Sequence, residues 1–433
     1  MSATVFRCSL CWLFLLAGVD LSAGPYSAAL NDPANTHDAP VPGFVGPDGI
    51  GGARISDGSG GFLNTDNYVN PIFFDWASSV INYSPAPGVA STWSNPALSL
   101  GPVTGDDFNV VSLGDLSSSQ IASSTPPGML TLHFTHPIRN LSGADFVVYE
   151  NGSLSGFNTG GAGSGGIFGE LAYVEVSSDG INFVRFPSVS LTPSLVGSYG
   201  TIDPTNVFNL MGKHVNAYGD SWGTPFDLSD VGLDSISYIR IVDIPGSGFF
   251  KDSLGNPIYD AWLTIGSGGV DVEAIGTISR LMTFNEWQDL NGLAGATRGA
   301  TVDAVGNGVP NLLKYAFTRQ PTRLDGSPAL TSVALESGRL VITFTRDERA
   351  SDLLYEVQVS DTLSASDWTT VAQSTGGQAM AAVGAFTPTI EEASASAITS
   401  IGVIRRVRVT DVVSAAGRQK RYMRVKVTQL TTP

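Results

Sequence analysis

Alternation of apolar and polar residues at period two is the strongest pattern along this chain. MLTLHF, ADFVVYE, LAYVEVSSDG, NFVRFP, ISYIRIVDI and VDVEAIGTI are short runs rich in Val, Ile, Phe and Tyr, separated by Gly, Pro, Asn and Asp. In LAYVEVS, Leu171, Tyr173, Glu175 and Ser177 share one face; Ala172, Val174 and Val176 share the other. This pattern predicts an antiparallel sandwich with long loops, running from about residue 40 to 279, with Phe146, Val148, Val174, Val176, Ile239 and Ile241 in its core. Three loops, 58–75, 152–169 and 245–269, are rich in Gly and Asn. Long loops on a rigid sandwich are where binding usually resides.

The period changes after residue 279. LMTFNEWQDLNGLAG places Leu281, Phe284, Trp287 and Leu290 at helical spacing, and Asn311 to Phe317 follows Pro310 as a second short helix. From Ala329 the strands return as RLVITFTR, LLYEVQVSD, WTTVAQS, VIRRVRVTD and RYMRVKVT. Five or more strands in roughly a hundred residues predict an immunoglobulin- or fibronectin-like sandwich. The expected organisation is a mainly β chain: a jelly-roll-like sandwich over 24–279, a helical linker over 280–328 and the second sandwich over 329–433.

Residues 1–23 stand apart. Arg7 precedes the apolar run CSLCWLFLLAGV, and small residues surround Ser22, Ala23 and Gly24, the order of a secretory signal peptide cut after Ala23. No later stretch is long and apolar enough to predict a transmembrane helix. Cys8 and Cys11 both lie inside the leader, so the mature chain is expected to carry no thiol or disulfide chemistry. The balance of 23 Lys and Arg against 39 Asp and Glu gives −16, and the acidity lies almost wholly before Glu336. Such a surface disfavours nucleic acid and anionic membranes and suits divalent cations or neutral glycans.

Catalytic chemistry has little support. Of four histidines, His133 and His136 stand at i, i+3 in LTLHFTHP and point apart, so they do not form a metal pair on a strand. His214 in MGKHVNAYG lies among polar residues, but no G-x-S-x-G nucleophile motif accompanies it. GAGSGG at 161–166 satisfies G-x-G-x-x-G without the strand and helix that a dinucleotide site requires. The carboxylates are more informative. Glu150 closes one strand, Glu170 opens the next, Asp243 ends YIRIVDI, and Asp271 and Glu273 alternate in GVDVEAIG. If these strand ends meet at one rim, the five would form a hard-oxygen site for calcium.

The segment DAVGNGVPNLLK is a damaged calcium loop. Counting from Asp303, Asn307, Gly308 and Asn311 fall at positions five, six and nine, whereas Val305 and Lys314 replace oxygen ligands at three and twelve. Two lost oxygens and a gained cation predict a loop that keeps its shape without its metal.

GELAYVEVSSDGINFVRFP resembles the strand–turn–strand signature of galactose-binding-like, discoidin-type jelly-roll domains. With ADFVVYENG, TIDPTNVFNLMGKH, GTPFDLSD and GGVDVEAIG, it is similar to a group of exported bacterial surface proteins over about residues 40 to 279. The loop at 303–314 resembles dockerin and thrombospondin type 3 elements. These resemblances imply a secreted or cell-surface binding or adhesion protein, not an enzyme, that recognises an extracellular glycan or envelope component with calcium as its cofactor. Two alternatives stand beside it. One is a polysaccharide hydrolase using carboxylates such as Glu150, Glu170 or Asp271, and the other is a purely structural envelope protein.

Overall fold

A computed structural model describes residues 24–27, 38–46, 52, 54, 57, 59, 61–154, 166–217, 221–322, 329–396, 400–417 and 420–431. The expected leader, both cysteines, His37 and nearly all of the GAGSGG stretch lie outside the described residues. The chain is mainly β. No helix among the described residues is long and apolar enough to cross a membrane.

Beside three two-stranded sheets, two large ones dominate the first part. One carries, in order, Val41–Pro42, Trp222–Phe226, Phe146–Glu150, Asp271–Thr277 and Asp75–Trp76, with Val111–Ser112 also paired to Asp271–Thr277. The other carries Val184–Arg185, Ala172–Ser177, Ser235–Asp243, Met129–Arg139 and Ser79–Ser84. Every pairing in both is antiparallel. Register obeys the alternation: Val174 pairs with Ile241 and Val176 with Ile239, so four branched side chains reinforce one face. That face meets Phe146, Val148, Val272 and Ile275 of the other sheet in one buried core. All six residues expected in the core are there.

The opposite face of Ala172–Ser177 is not left to water. Leu171 and Tyr173 are covered by a third layer, in which Val196, Ile202, Val207, Leu210, Ile244 and Ile258 come from the long connections after residues 190 and 243. Apolar residues on both faces of this strand account for that layer, since a half-solvated strand would carry polar residues outward.

Strict alternation fails once where it matters. The register of Asp271–Thr277 against Phe146–Glu150 shifts between Val272 and Ala274. A bulge inserts one residue and reverses the facing of the residues beyond it. Val272 and Ile275, three apart, therefore share one core, while Ala274 joins a different one.

The second part contains two four-stranded sheets. Thr331–Glu336, Arg339–Asp347, Ile404–Ser414 and Thr389–Ser394 form one; Ala381–Ala382, Thr369–Thr375, Leu353–Ser360 and Tyr422–Gln429 form the other. The helical segment shares their core, because Phe284, Trp287, Tyr315 and Phe317 pack with Ile342, Tyr355, Val357 and Val407. The first helix, Phe284–Leu290, starts at a capping box in which Thr283 N donates to Glu286 Oε2 (2.8 Å). Leu281 thus precedes the helix and Leu290 is exposed, so the apolar face is carried by Phe284 and Trp287 alone. Arg349 ties the two parts together: it pairs with Asp347, lies over Phe74 at 3.7 Å, and donates through Nη1 to the carbonyls of Ile72 and Ile278.

Candidate functional site

Antiparallel pairing brings the acidic strand ends together. Asp243 lies opposite Ala172, two residues after Glu170; Glu150 lies opposite Val272, next to Asp271. The first pair belongs to one sheet and the second to the other, so four carboxylates ring one end of the sandwich. All four are buried. Two more join them from loops: Asp115, after Val111–Ser112, and buried Asp260 in IYDAW. Sequence reading missed both, because loop residues carry no periodicity to place them.

Each of these groups is met by at least one hydrogen-bonding group, Asp271 by the Ser112 and Ser267 side chains and the others by loop donors. Glu150 Oε2 accepts from Gly152 N (2.7 Å), Asp243 Oδ1 from Val270 N (2.9 Å) and Asp260 Oδ2 from Leu171 N (2.7 Å). Glu170 Oε1 accepts from Thr264 Oγ1 and Gly269 N, and Asp115 Oδ2 from Thr264 N (3.0 Å). The connection through residues 263–270 therefore lies directly over the carboxylates. Only glycine fits where it passes Asp243: a Cβ on Gly269, at φ 71°, would stand 2.7 Å from Asp243 Oδ1.

Glu273 is elsewhere. Its Oε1 accepts from Thr104 N, Thr104 Oγ1 and Gly105 N, and its Oε2 from Asn216 Nδ2. The alternation expected to set it beside Asp271 is interrupted by the bulge at that residue.

Burial, and then mutual repulsion, dominates the electrostatics. Desolvation and the neighbouring Asp271 push Glu150 and Glu170 well above the usual carboxylate range; desolvation and Asp115 do the same to Asp243. Asp260 is also raised well above that range by burial. Burial takes Asp115 up to about 7 and Asp271 up to about 8. No ion pair found among the described residues includes any of the six. Away from this end, buried Asp145 is raised to about 8 although it accepts from Leu141 N and Leu228 N.

These raised carboxyls give stability a pH dependence of definite sign. In the unfolded chain carboxyl groups lose their protons near pH 4, whereas Asp145 and Asp271 keep theirs in the fold until about pH 8. The folded state thus binds more protons across this window, and stability falls as pH rises from about 4 to about 8. Denaturation in chelator at several pH values checks this; stability that climbs from about pH 5 to 8 would contradict it.

A cavity of ≈ 210 Å³ adjoins the carboxylates. Pro87, Val89, Leu263 and Ile265 give it apolar walls, and Asp115, Ser117, Gln120 and Thr264 give it polar groups. Ile265 is 84% exposed, so the cavity opens to solvent past an apolar side chain. Among the described residues, no three acidic, histidine or cysteine side chains form a ready-made metal shell.

The loop from Asp303 to Lys314 has an internal cation. Lys314 is fully buried on the helix Asn311–Ala316, and its Nζ donates to Asp303 Oδ1 at 2.9 Å. The same carboxylate accepts from Gly306 N (3.0 Å) and Gly308 N (2.6 Å), closing the turn. The ammonium holds the Asp303 carboxyl down at about 2. Lys314→Met is expected to lower the melting temperature, and added calcium to leave it low, because position twelve still offers no oxygen. Calcium that restored the variant would show that the loop retains a metal site.

The three described histidines are structural or exposed. His214 is buried and donates from Nε2 to the Asp38 carbonyl at 2.9 Å; burial and then the neighbouring Lys213 take it down to about 3, so it is neutral and unavailable to substrate. His136 bonds Asp75 on the surface at 2.7 Å, while His133 packs against Tyr238.

No protein-family model and no curated protein matches the chain. Among solved structures, a cycloisomaltooligosaccharide glucanotransferase of Paenibacillus sp., crystallised with cycloisomaltoheptaose, is similar at 9% identity and a TM-score of 0.17. The similarity covers 81% of this chain and 44% of that one, so this chain spans less than half of its length. A TM-score that low does not establish a common fold.

Proposed function

We propose that this chain is a secreted or cell-surface binding protein whose first sandwich, of the galactose-binding-like jelly-roll kind, recognises an extracellular glycan. The immunoglobulin-like sandwich after it serves as spacer or attachment. The cavity beside Asp115 carries the reading. Sugars present an apolar C–H face and a ring of hydroxyls, and this cavity offers Pro87, Val89 and Ile265 to the first and Asp115, Gln120 and Thr264 to the second. Its ≈ 210 Å³ lies below the roughly 300–1,000 Å³ of sites for drug-sized ligands, which suits one terminal sugar unit better than a long chain.

A glycan array with the full chain tests this. Binding to a restricted set of neutral glycans is expected, with Asp115→Asn weakening it about tenfold or more through loss of a charge-assisted hydrogen bond. Binding that is indifferent to both Asp115→Asn and Ile265→Asp would remove the site from this cavity. Release of reducing sugar from a bound glycan would replace a binding role with a hydrolytic one.

A further inference from the structure

The acidic end of the sandwich holds more carboxyl oxygens than its surroundings answer. Asp243 and Asp271 are 1% and 5% exposed, and Asp243 Oδ2 and Asp271 Oδ1 have no hydrogen-bond partner among the described residues. Asp115 Oδ1 also lacks a donor among the described residues. Buried carboxylate oxygens without partners are costly, and native proteins normally satisfy them with donors, water or ions. Here the loop amides take one oxygen of Asp243 and one of Asp115 and leave the other.

We propose that Asp243 and Asp271, with Asp115 and Glu170 beside them, hold a divalent cation of calcium's kind between the two sheets. The donor set is purely hard oxygen, with no imidazole or thiolate, which selects calcium or magnesium over zinc and copper. Calcium fits better, because it accepts 6–8 oxygens at about 2.3–2.6 Å in irregular arrangements, whereas magnesium demands a near-ideal octahedron. The carboxylates do not stand as a finished shell, so binding draws them together. The connection that covers them contains Gly266, Gly268 and Gly269, the first and last at positive φ, and its amides bond to Glu170, Asp243 and Asp115. It is the element able to accommodate that contraction. The same connection supplies Leu263, Thr264 and Ile265 to the cavity wall, so the cation would set the shape of the cavity. This site does not depend on the ligand being a glycan.

The test uses the full chain with calcium chloride alone, against chelator. Millimolar calcium is expected to raise the melting temperature by roughly 5 °C or more. Terbium is expected to luminesce on excitation of tryptophan, because Trp262 Nε1 donates to the Leu116 carbonyl next to Asp115. Asp243→Asn and Asp271→Asn should each abolish both signals and, in chelator, match or exceed the stability of the parent, since an amide replaces a buried carboxyl whose second oxygen has no donor among the described residues. Asp303→Asn should retain both signals. No shift with calcium, a shift unchanged in both aspartate variants, or one lost in Asp303→Asn would each overturn the proposal. So would variants less stable than the parent in chelator, for the carboxylates would then support the fold without a metal. Glycan binding measured beside these signals keeps the two readings separate, because either can fail alone.

Discussion

Val176→Asp is expected to lower the unfolding free energy by roughly 3 kcal/mol or more, and the melting temperature by about 10 °C. Val176 is fully buried, pairs with Ile239, and points into the cluster containing Leu130, Val174, Phe146 and Ile275. A carboxylate there must either ionise without a partner or carry a proton into an apolar core, and both are costly. The backbone cannot turn the residue outward, because a one-residue slip would also expose Val174 and Ala172. Ile181→Asp is the control. It lies in the turn three residues after Ser178, is 80% exposed, and should shift stability by no more than about 0.5 kcal/mol. Equal melting temperatures for the two variants would mean that Val176 does not face the core.

Lys213→Met is expected to cost roughly 3–5 kcal/mol, the usual result of removing one partner from a buried ion pair. Lys213 Nζ bonds Asp38 Oδ2, and the two side chains are 0% and 1% exposed. The pair is also a fastening. Asp38 Oδ1 accepts from Ser27 N, while Gly24 N and Tyr26 N donate to Thr205 and Tyr26 stacks on Phe208 at 5.0 Å. Methionine fills much of the volume of lysine but leaves the Asp38 carboxylate without its buried ammonium. Adding Asp38→Asn should recover much of the deficit, and the single variant should expose residues 24–27 to protease. Chemical denaturation of the parent, both single variants and the double variant reads the coupling directly. A midpoint unchanged in Lys213→Met would show that the pair contributes nothing.

Much of the β architecture was legible because burial imposes period two. Leu130, Leu132, Phe146, Val148, Ile239 and Ile241 alternate in the sequence and share one core in the structure. Helical spacing overreached where a capping box intervened: Thr283 and Glu286 start the helix after Leu281, and no spacing rule registers that reciprocal hydrogen bond. The candidate site was half legible. Glu150, Glu170, Asp243 and Asp271 were found because strand ends can be read, and antiparallel pairing sends them to one end. Glu273 was grouped with them by an alternation that a bulge breaks.

By itself, then, the sequence determined that this chain is mainly β, which faces of its strands are apolar, and that Val305 and Lys314 stand two and eleven residues after Asp303, where a calcium loop would carry oxygens. Those are local properties, set by the pleat and by the identity of side chains at fixed offsets. Only the tertiary structure decided that Asp115 and Asp260 join the acidic end and that the connection through Gly269 covers it. It also decided that the Lys314 ammonium reaches Asp303 and that Lys213 reaches Asp38 across 175 positions of sequence. The physical reason is that desolvation and charge pairing act over a few ångströms of space, whatever the separation along the chain.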